Sequence, residues 1–353
     1  MMNMMQAARE QAKAVILRSC EKAAANGTLP GSIWPEPSVE VSADPSRGDL
    51  TSAFCLAAAG VLSLSPRRLA DGLLGHIDLN GTCFTAVEAA GPGYLNFHLG
   101  DKWYADTLVA VEQEGDRYGS SGELSGQTVR IQLTADASRG SALRRDALHP
   151  ALTNLLSLCG AEVTCGNTFQ NYVNHVTIPV AACQLACGGQ PIDKALPLSD
   201  LPTDTVGFLL GTRPDRAVTV DLEQAAREDR SNPFYCARYI YRRMSVLLQR
   251  AERQGISVPR AAEADLSAFQ SETVRLLIRI LAQYPDTVIS AAHALNPGVM
   301  VAYLARLSDA MWTLYRERRS GEISPALLPA RLVLTGAART VMENVLHLLC
   351  IRY

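Results

Sequence analysis

Residues 231–244 read SNPFYCARYIYRRM, and this stretch decides the architecture of the C-terminal part of the chain. Asn232 followed by Pro233 predicts a helix start, because an asparagine side chain can cap the first turn and proline fits the first helical position. Aromatic and arginine side chains then recur on neighbouring helix faces: Tyr235, Tyr239, Arg242 and Arg243. Amphipathic helical patterns continue from there and predict a helical bundle over 227–353.

Upstream of the bundle, a strand–helix–strand pattern predicts a second domain. TVRIQLT at 128–134 alternates like a strand, residues 142–159 carry apolar side chains at helical spacing, and AEVTC at 161–165 follows as a second strand. This order is typical of a βαβ unit, in which a helix connects two parallel strands. It predicts a reduced α/β domain over 126–226.

The first part of the chain mixes helical and strand patterns. CFTAVEA at 83–89 and GYLNFHL at 93–99 predict two strands that flank a glycine–proline turn. Asp49 is predicted to cap a helix that runs from Leu50 to about Leu62. These patterns predict an α+β domain over 1–125. The fold class predicted for the whole chain is multidomain, α/β plus all-α.

Composition and charge narrow the class of protein. Hydrophobic residues make up 48% of the 353 residues and charged residues 19%, which excludes a disordered chain. No apolar run reaches the ~18 residues of a membrane span, and the start lacks the apolar block of a secretory signal, so a soluble, cytoplasmic protein is expected. Residues 229–353 contain 16 Arg, no Lys and 10 acidic residues, whereas residues 1–228 carry a net charge of −8. This asymmetry favours a polyanionic partner, although an exposed arginine-rich helix face would have the same composition.

The N-terminal part is similar to the extra N-terminal domain of arginyl-tRNA synthetases. The resemblance rests on Gly48-Asp49-Leu50 and on AAGPGYLNFHL at 89–99. In that family the domain contacts the corner of tRNA, which implies RNA contacts for three residues of the second motif: Tyr94, Asn96 and Phe97. Because Tyr94 and Phe97 fall on opposite faces of a strand, one ring could stack on a base, or both could belong to the core.

The opening of the bundle resembles that of the family's DALR-type anticodon-binding domain, which reads NP-x-YY-x-x-Y-x-x-x-R. A second stretch, residues 329–351, resembles the last helix of the same domain. The resemblance implies an RNA-binding set in the first helix: Asn232, Tyr235, Arg238, Tyr239, Arg242 and Arg243. Aromatic rings interleaved with arginines suit unstacked bases and their phosphates. Alternatively, the tyrosines anchor the bundle core and the arginines face solvent.

The central domain resembles the family's Rossmann-like catalytic domain in its first strand and helix, but it lacks the two motifs that handle ATP. A signature of the HIGH type is expected at the start of that helix. The residues at this position include no histidine: Arg139, Gly140, Ser141 and Ala142. The second signature, of the KMSK type, has only Lys194 in the corresponding region, and most of the block between the motifs is missing. This implies a non-catalytic protein with no catalytic residues and no cofactor.

Other chemically active side chains give weaker indications. A set of cysteines and one histidine lies in the central domain: Cys159, Cys165, His175, Cys183 and Cys187. Their spacing matches no common zinc site, so no metal is expected. Arg139, Arg144 and Arg145 lie near the start of the central helix, where they could meet a phosphate or form an exposed helix face.

The favoured function is that of a non-catalytic arginyl-tRNA synthetase-like protein that binds tRNA as an adaptor, regulator or chaperone. Arginine tRNA is one candidate ligand, a synthetase or a tRNA-modifying enzyme is a candidate protein partner, and no membrane partner is expected. One alternative is a protein-interaction module whose partner could be the true synthetase. A further alternative is a residual arginine–tRNA ligase with a rebuilt site.

Overall fold

The computed structural model divides the chain into two compact units. One unit ends at Thr107 and the other spans Leu108–Tyr353. The structure describes residues 3–31, 34–42, 44–136, 138–164, 173–192, 200–265, 269, 271–319 and 327–353. Within these ranges no helix combines the length and apolar character needed to cross a bilayer.

The N-terminal unit packs helices against one face of a small antiparallel sheet. Its elements are α1 (Met4–Ala25), β1 (Glu40–Val41), β2 (Leu50–Ser52), α2 (Phe54–Leu62), α3 (Pro66–Leu74), β3 (Phe84–Ala90), β4 (Tyr94–Leu99) and the start of α4 (Asp101–Glu114). The strands lie in the order β1-β2-β4-β3. Leu50 and Val87 are both paired with the fully buried Phe97, so these three side chains lie on the apolar face. The predicted α+β character and the two flanking strands are confirmed.

The helix cap predicted at Asp49 is wrong. Leu50–Ser52 form β2, and α2 begins only at Phe54. The Asp49 carboxylate instead accepts hydrogen bonds from the backbone N–H of Leu99 at 2.7 Å and from the Tyr104 hydroxyl at 2.8 Å. Pairing with a distant strand therefore replaces the local cap, and a buried carboxylate held by such donors anchors β2 to β4.

The first half of the second unit contains two small sheets around one long helix. Its elements are β5 (Thr128–Ala135), α5 (Arg139–Leu158), β6 (Glu162–Thr164), β7 (Val173–Val180), β8 (Cys183–Cys187), β9 (Gln190–Ile192), α6 (Thr205–Leu210), β10 (Val218–Asp221) and α7 (Leu222–Ala226). Parallel strands form the order β6-β5-β7, while β8 pairs with β10 in parallel and with β9 in an antiparallel hairpin. The predicted βαβ unit is thus confirmed as β5–α5–β6.

The second half of this unit is the predicted helical bundle. Its helices are α8 (Pro233–Arg253), α9 (Glu272–Ala282), α10 (Tyr284–His293), α11 (Gly298–Arg319) and α12 (Leu328–Leu348). The bundle core is drawn mainly from α9, α11 and α12 and includes the fully buried Leu277, Leu307 and Val341. The prediction separated 126–226 from the bundle, whereas both lie in one compact unit. Part of the connection is a hydrogen bond from the Asn154 side chain of α5 to the carbonyl of Leu348, at 3.2 Å.

Arg144, in α5, is completely buried instead of lying on an exposed helix face. Its guanidinium group donates hydrogen bonds to the carbonyl oxygens of Ala181, Leu209, Thr212, Arg213 and Arg216 and to the Thr212 hydroxyl. Burial lowers the pKa of Arg144, because a charged group loses solvation inside the protein. This side chain therefore ties α5 to the segment between α6 and β10.

Candidate nucleic-acid interface

Asn232 caps the N-terminus of α8 as predicted, but its side chain is buried. Its side-chain oxygen accepts hydrogen bonds from the backbone N–H groups of Phe234 at 3.0 Å and Tyr235 at 3.2 Å. Its amide nitrogen donates to Asp204 at 2.8 Å and to the carbonyl of Ala225 at 3.2 Å. Because the residue is fully buried, the predicted RNA contact by Asn232 is wrong, and its role is to fix the helix start.

Arg238 is also turned inward, contrary to the predicted RNA contact. Its guanidinium group forms a two-point ion pair with Asp204, with distances of 2.8 and 3.0 Å. The exposed fractions of the two side chains are 17% and 2%. A buried carboxylate requires a charged or hydrogen-bonding partner, and Arg238 supplies it. The pair joins α8 to the start of α6.

Two tyrosines of α8 and one tryptophan of α11 form a chain of rings flanked by guanidinium groups. Tyr235 stacks on Tyr239, with ring centroids 6.1 Å apart, and Tyr239 lies 5.6 Å from the ring of Trp312 on α11. The guanidinium of Arg243 lies 5.6 Å from the Tyr239 ring, and that of Arg230 lies 5.0 Å from the Trp312 ring. These distances are typical of cation–π contacts. The helix therefore brings Tyr235, Tyr239 and Arg243 together, as the sequence predicted.

A cleft of about 370 Å³ opens between α8 and α11 beside this chain of rings. We call it the α8–α11 cleft; its lining residues are Tyr239, Ile240, Arg243, Val246, Leu247, Arg250, Trp312, Tyr315 and Arg316. Every charged side chain in this lining is an arginine. Val246 is 53% exposed, and Arg242 and Arg243 are exposed beside it. Half-buried aromatic rings, an apolar surface and exposed guanidinium groups suit an unstacked base and its phosphates.

Sequence reasoning missed the half of this cleft that α11 contributes. Trp312, Tyr315 and Arg316 lie within MWTLYRERR at 311–319, where aromatic residues alternate with arginines as they do in α8. That similarity of composition is the signal that could have found them. The composition does not show that α11 packs against α8, and the packing of these two helices creates the cleft.

Of the three aromatic and polar residues predicted in the N-terminal unit, only Tyr94 is exposed, by 40%. Phe97 is fully buried, with its ring 5.0 Å from that of Phe84. Asn96 is also buried and accepts a hydrogen bond from the Thr51 hydroxyl at 2.8 Å. The predicted RNA contacts of Asn96 and Phe97 are therefore wrong, because both side chains hold the sheet together.

The position of the HIGH-type signature coincides with the first turn of α5. It contains Arg139, Gly140, Ser141 and Ala142. The Ser138 hydroxyl accepts a hydrogen bond from the backbone N–H of Ser141 at 3.3 Å, and the Asp136 carboxylate accepts one from the N–H of Ser138 at 3.0 Å. Hydrogen bonding by Ser138 lowers the pKa of Asp136. The helix start is thus capped by the chain's own side chains, with a carboxylate close by.

A second cavity, of about 500 Å³, lies at the same helix start and is also bordered by β8 and β10. No lysine or histidine is among its described lining residues. Gly140 packs so closely against β8 that a Cβ atom there would clash with the carbonyl oxygen of Cys183. Lys194, the only lysine predicted near a KMSK-type position, lies outside the described residues.

The cysteine and histidine set forms no metal site in the part of the chain that the structure covers. No group of three or more potential ligands comes together there. Burial raises the pKa of the Cys159 and Cys183 thiols, which disfavours the thiolate form that binds metal. Cys165 lies outside the described residues.

Comparison with known proteins finds family models that match the two ends of the chain. The model of the arginyl-tRNA synthetase N-terminal domain matches residues 10–99, and that of the DALR anticodon-binding domain matches residues 237–353. The arginine–tRNA ligase of Acetivibrio thermocellus is 31% identical over 169 residues. Both ends of the chain thus match domains of the arginyl-tRNA synthetase family. The aligned segment covers 46% of this chain but only 30% of the Acetivibrio enzyme.

Solved structures of the arginyl-tRNA synthetase family have the same fold. The enzyme from Thermus thermophilus matches with a TM-score of 0.65 at 12% identity, covering 97% of this chain and 99% of that one. The enzyme from Plasmodium falciparum matches with a TM-score of 0.68 at 8% identity, covering 98% of each chain. The two family models match opposite ends of the chain, and residues 100–236 lie between them. This intervening segment includes the position at which a HIGH-type signature is expected.

Proposed function

We propose that this member of the arginyl-tRNA synthetase family binds tRNA without attaching an amino acid to it. The observation that carries the proposal is the α8–α11 cleft, which combines half-buried aromatic rings with exposed guanidinium groups in the segment that the DALR anticodon-binding model matches. Bases of a single-stranded loop can stack on such rings while arginines contact their phosphates. The Tyr94 ring in the N-terminal unit is a second, smaller candidate contact.

The first turn of α5 supports the non-catalytic part of the proposal. A helix N-terminus attracts phosphate through its unpaired N–H groups and its dipole. Here Ser138 satisfies one of those N–H groups, and the Asp136 carboxylate places negative charge nearby. No histidine stands in this turn to stabilise charge on a reacting phosphate. Arg139 is the only side chain of this first turn that carries a positive charge, and the Asp136 carboxylate lies beside the same cavity.

The proposed role is that of an adaptor, regulator or chaperone of tRNA in the cytoplasm, where tRNA is used. Arginine tRNAs are the proposed ligands, because the relatives that the chain resembles are arginine–tRNA ligases. A synthetase or a tRNA-modifying enzyme would be the protein that receives the bound tRNA.

The test is binding of the full chain to total tRNA at low and moderate salt, followed by sequencing of the retained RNA. We expect arginine tRNAs to be enriched. Replacing Arg242 and Arg243 by alanine should lower the affinity about tenfold and reduce the slope of log K against log salt by about two, one for each lost phosphate contact. The matched control replaces two exposed arginines outside the bundle that have no assigned RNA contact, Arg213 and Arg227, and should leave both quantities unchanged. Absence of tRNA binding at low salt would refute the proposal.

A protein partner is the second candidate function, and the exposure of Val246 favours it. An apolar side chain that is 53% exposed beside Leu247 could equally pack against a protein helix. In that case a partner would be captured by the chain after nuclease treatment, and capture would be lost in Val246→Asp. Residual ligase activity is tested separately by ATP–pyrophosphate exchange with a panel of amino acids, for which we expect no signal.

A further inference from the structure

Both helices that form the α8–α11 cleft begin against the same short helix, α6. On the α8 side, Gly207 packs so closely against Phe234 that a Cβ atom would clash with the ring, and Phe208 contacts the same ring edge-on, with the centroids 5.0 Å apart. On the α11 side, a Cβ atom on Gly298 would come within 3.2 Å of the carbonyl oxygen of Leu210, at the end of α6. α6 therefore touches the first turn of each helix that lines the cleft.

A buried carboxylate fixes the direction of α8 at this contact. Asp204, immediately before α6, accepts hydrogen bonds from Arg238 at 2.8 and 3.0 Å and from the Asn232 side chain at 2.8 Å. Asn232 and Arg238 lie six residues apart in the sequence, so the carboxylate holds α8 at its cap and again more than one helical turn later. Because two contacts along a helix restrict its tilt more than one contact does, Asp204 orients α8 relative to α6.

α6 is itself fixed to the central helix α5 by Arg144. The guanidinium group of this residue donates hydrogen bonds to the carbonyl oxygen of Leu209 at 3.3 Å and to the Thr212 hydroxyl at 2.7 Å. Arg144 is fully buried, so a movement of α6 would break hydrogen bonds to a charged group that no water can replace. The position of α6 is thus determined by the central domain rather than by the bundle.

Small changes at α6 become larger at the cleft, because a helix transmits a tilt along its length. Trp312 lies 14 residues after Gly298, roughly 21 Å along α11 at ~1.5 Å per residue. A tilt of about 10° at the start of α11 would therefore displace Trp312 by about 4 Å. The centroid of the Trp312 ring lies 5.6 Å from that of Tyr239. A displacement of this size would separate the two rings.

We propose that α6 sets the spacing of α8 and α11 in the cleft, with Asp204 and Gly207 as the positioning residues. Neither residue is among the described lining of the cleft, so each acts on a ligand only through α8. The inference rests on the proposed function, because it concerns how the cleft keeps the shape that binds tRNA. It goes beyond that function by giving the central domain a role that needs no catalysis, which is to hold two helices of the bundle at one spacing.

Gly207→Ala tests the contact between α6 and α8 by steric means. The added methyl group has to push the Phe234 ring away from α6, and the start of α8 moves with it. We expect the affinity of the full chain for total tRNA to fall about tenfold, in the range of one lost stacking contact. In the double variant Gly207→Ala/Phe234→Leu the smaller side chain makes room for the methyl group, and the affinity should return to within about threefold of the unmodified chain.

Fluorine NMR shows the change in geometry without any ligand. The chain contains three tryptophans, so incorporation of 5-fluorotryptophan gives three signals. Trp34 and Trp103 lie in the other compact unit and serve as internal references. The Trp312 signal should shift in Gly207→Ala, while the two references stay in place and the double variant restores the original position. Asp204→Asn, which removes the charge that holds Arg238, should shift the same signal, and Gly207→Ala keeps the test valid if this variant fails to fold.

The control lowers stability elsewhere in the bundle. Ile280→Ala removes a buried side chain of α9 beside Tyr303, which lies nine residues before Trp312 on α11. It should lower the melting temperature and leave the Trp312 signal and the tRNA affinity unchanged at temperatures where the chain is folded. If the variants of Gly207 and Asp204 behave like this control, the inference is overturned and tRNA binding stands.

The outcomes also separate the inference from the function beneath it. Failure of the unmodified chain to bind tRNA at low salt would overturn the proposed function. The fluorine signals need no ligand, so they would still decide whether α6 sets the spacing of α8 and α11. An unchanged Trp312 signal in Gly207→Ala would overturn the inference whatever the chain binds.

Discussion

Replacing Arg144 by methionine would remove the guanidinium group that ties α5 to the segment between α6 and β10. Methionine matches the aliphatic part of the arginine side chain but has neither its charge nor its hydrogen-bond donors, so the change tests the hydrogen bonds more than the packing. Three of the acceptors lie at short distances: Arg216 O at 2.5 Å, Thr212 Oγ1 at 2.7 Å and Arg213 O at 2.7 Å. The other three lie at 3.3 to 3.4 Å and contribute less.

The magnitude follows from the short contacts. A hydrogen bond to a charged group contributes about 1.5–3 kcal/mol, but the methionine variant no longer loses the solvation of a buried guanidinium. Taking about 1 kcal/mol as the net loss for each short contact gives roughly 3 kcal/mol. The longer contacts leave further buried carbonyl groups without donors, so this value is closer to a lower bound than to an upper one.

Hydrogen exchange measured by mass spectrometry is the suitable assay, because a chain of two compact units need not unfold in one transition. We expect peptides from α5 and residues 205–216 to exchange roughly a hundredfold faster in Arg144→Met, which corresponds to about 3 kcal/mol. The control is Arg145→Met. That side chain is 46% exposed and forms an exposed ion pair with Asp146, so its loss should cost less than about 0.5 kcal/mol. Equal protection of α5 in the two variants would refute the reasoning.

Two further predictions concern single positions. Gly93→Ala should destabilise the N-terminal unit by about 2 kcal/mol or more, since φ is +138° and a Cβ atom would lie 2.7 Å from that of Pro66. Gly91→Ala, in open space at φ +52°, should cost only about 1 kcal/mol. Thermal denaturation of the two variants measures this difference. The backbone N–H of Gly189 is the first of several donors that lower the pKa of Asp221. The Asp221 carboxylate therefore stabilises the fold above the ordinary carboxyl pKa, and this stabilisation disappears as the pH falls through the lowered pKa. In Asp221→Asn the melting temperature should consequently fall less steeply with decreasing pH in the acidic range. An unchanged pH dependence of the melting temperature would contradict this.

Local patterns predicted the elements that local forces determine. The start of α8 depends on Asn232 and Pro233, which are adjacent in the sequence, and both the start and the amphipathic pattern that follows are found as expected. The helix predicted from Leu50 failed for the opposite reason. Asp49 is an equally suitable residue type for a cap, but donors from Leu99 and Tyr104, far along the chain, hold its carboxylate in the sheet. Such competition cannot be read from neighbouring residues.

The residues of the candidate site were predicted only in part, because the sequence does not show which side chains are contacted by residues far along the chain. Tyr239 and Arg243 line the cleft, and the Arg243 guanidinium, which is exposed, lies over the Tyr239 ring of the same helix. Arg238 looked equivalent in the sequence, yet Asp204 on another element takes it inside. Trp312 was missed because only the packing of α11 against α8 gives it a role. Sequence spacing predicts which residues share a helix face, whereas their availability to a ligand depends on the neighbours that folding supplies.

The exclusive use of arginine in the α8–α11 cleft affects how its binding can be regulated. Residues 229–353 contain 16 Arg and no Lys, so lysine acetylation cannot remove positive charge from the bundle. Guanidinium groups also stay protonated at every pH a cell experiences. The attraction of this surface for a polyanion is consequently set by ionic strength and by competing anions. Control through the concentration of the protein or through a competing ligand would be consistent with this chemistry.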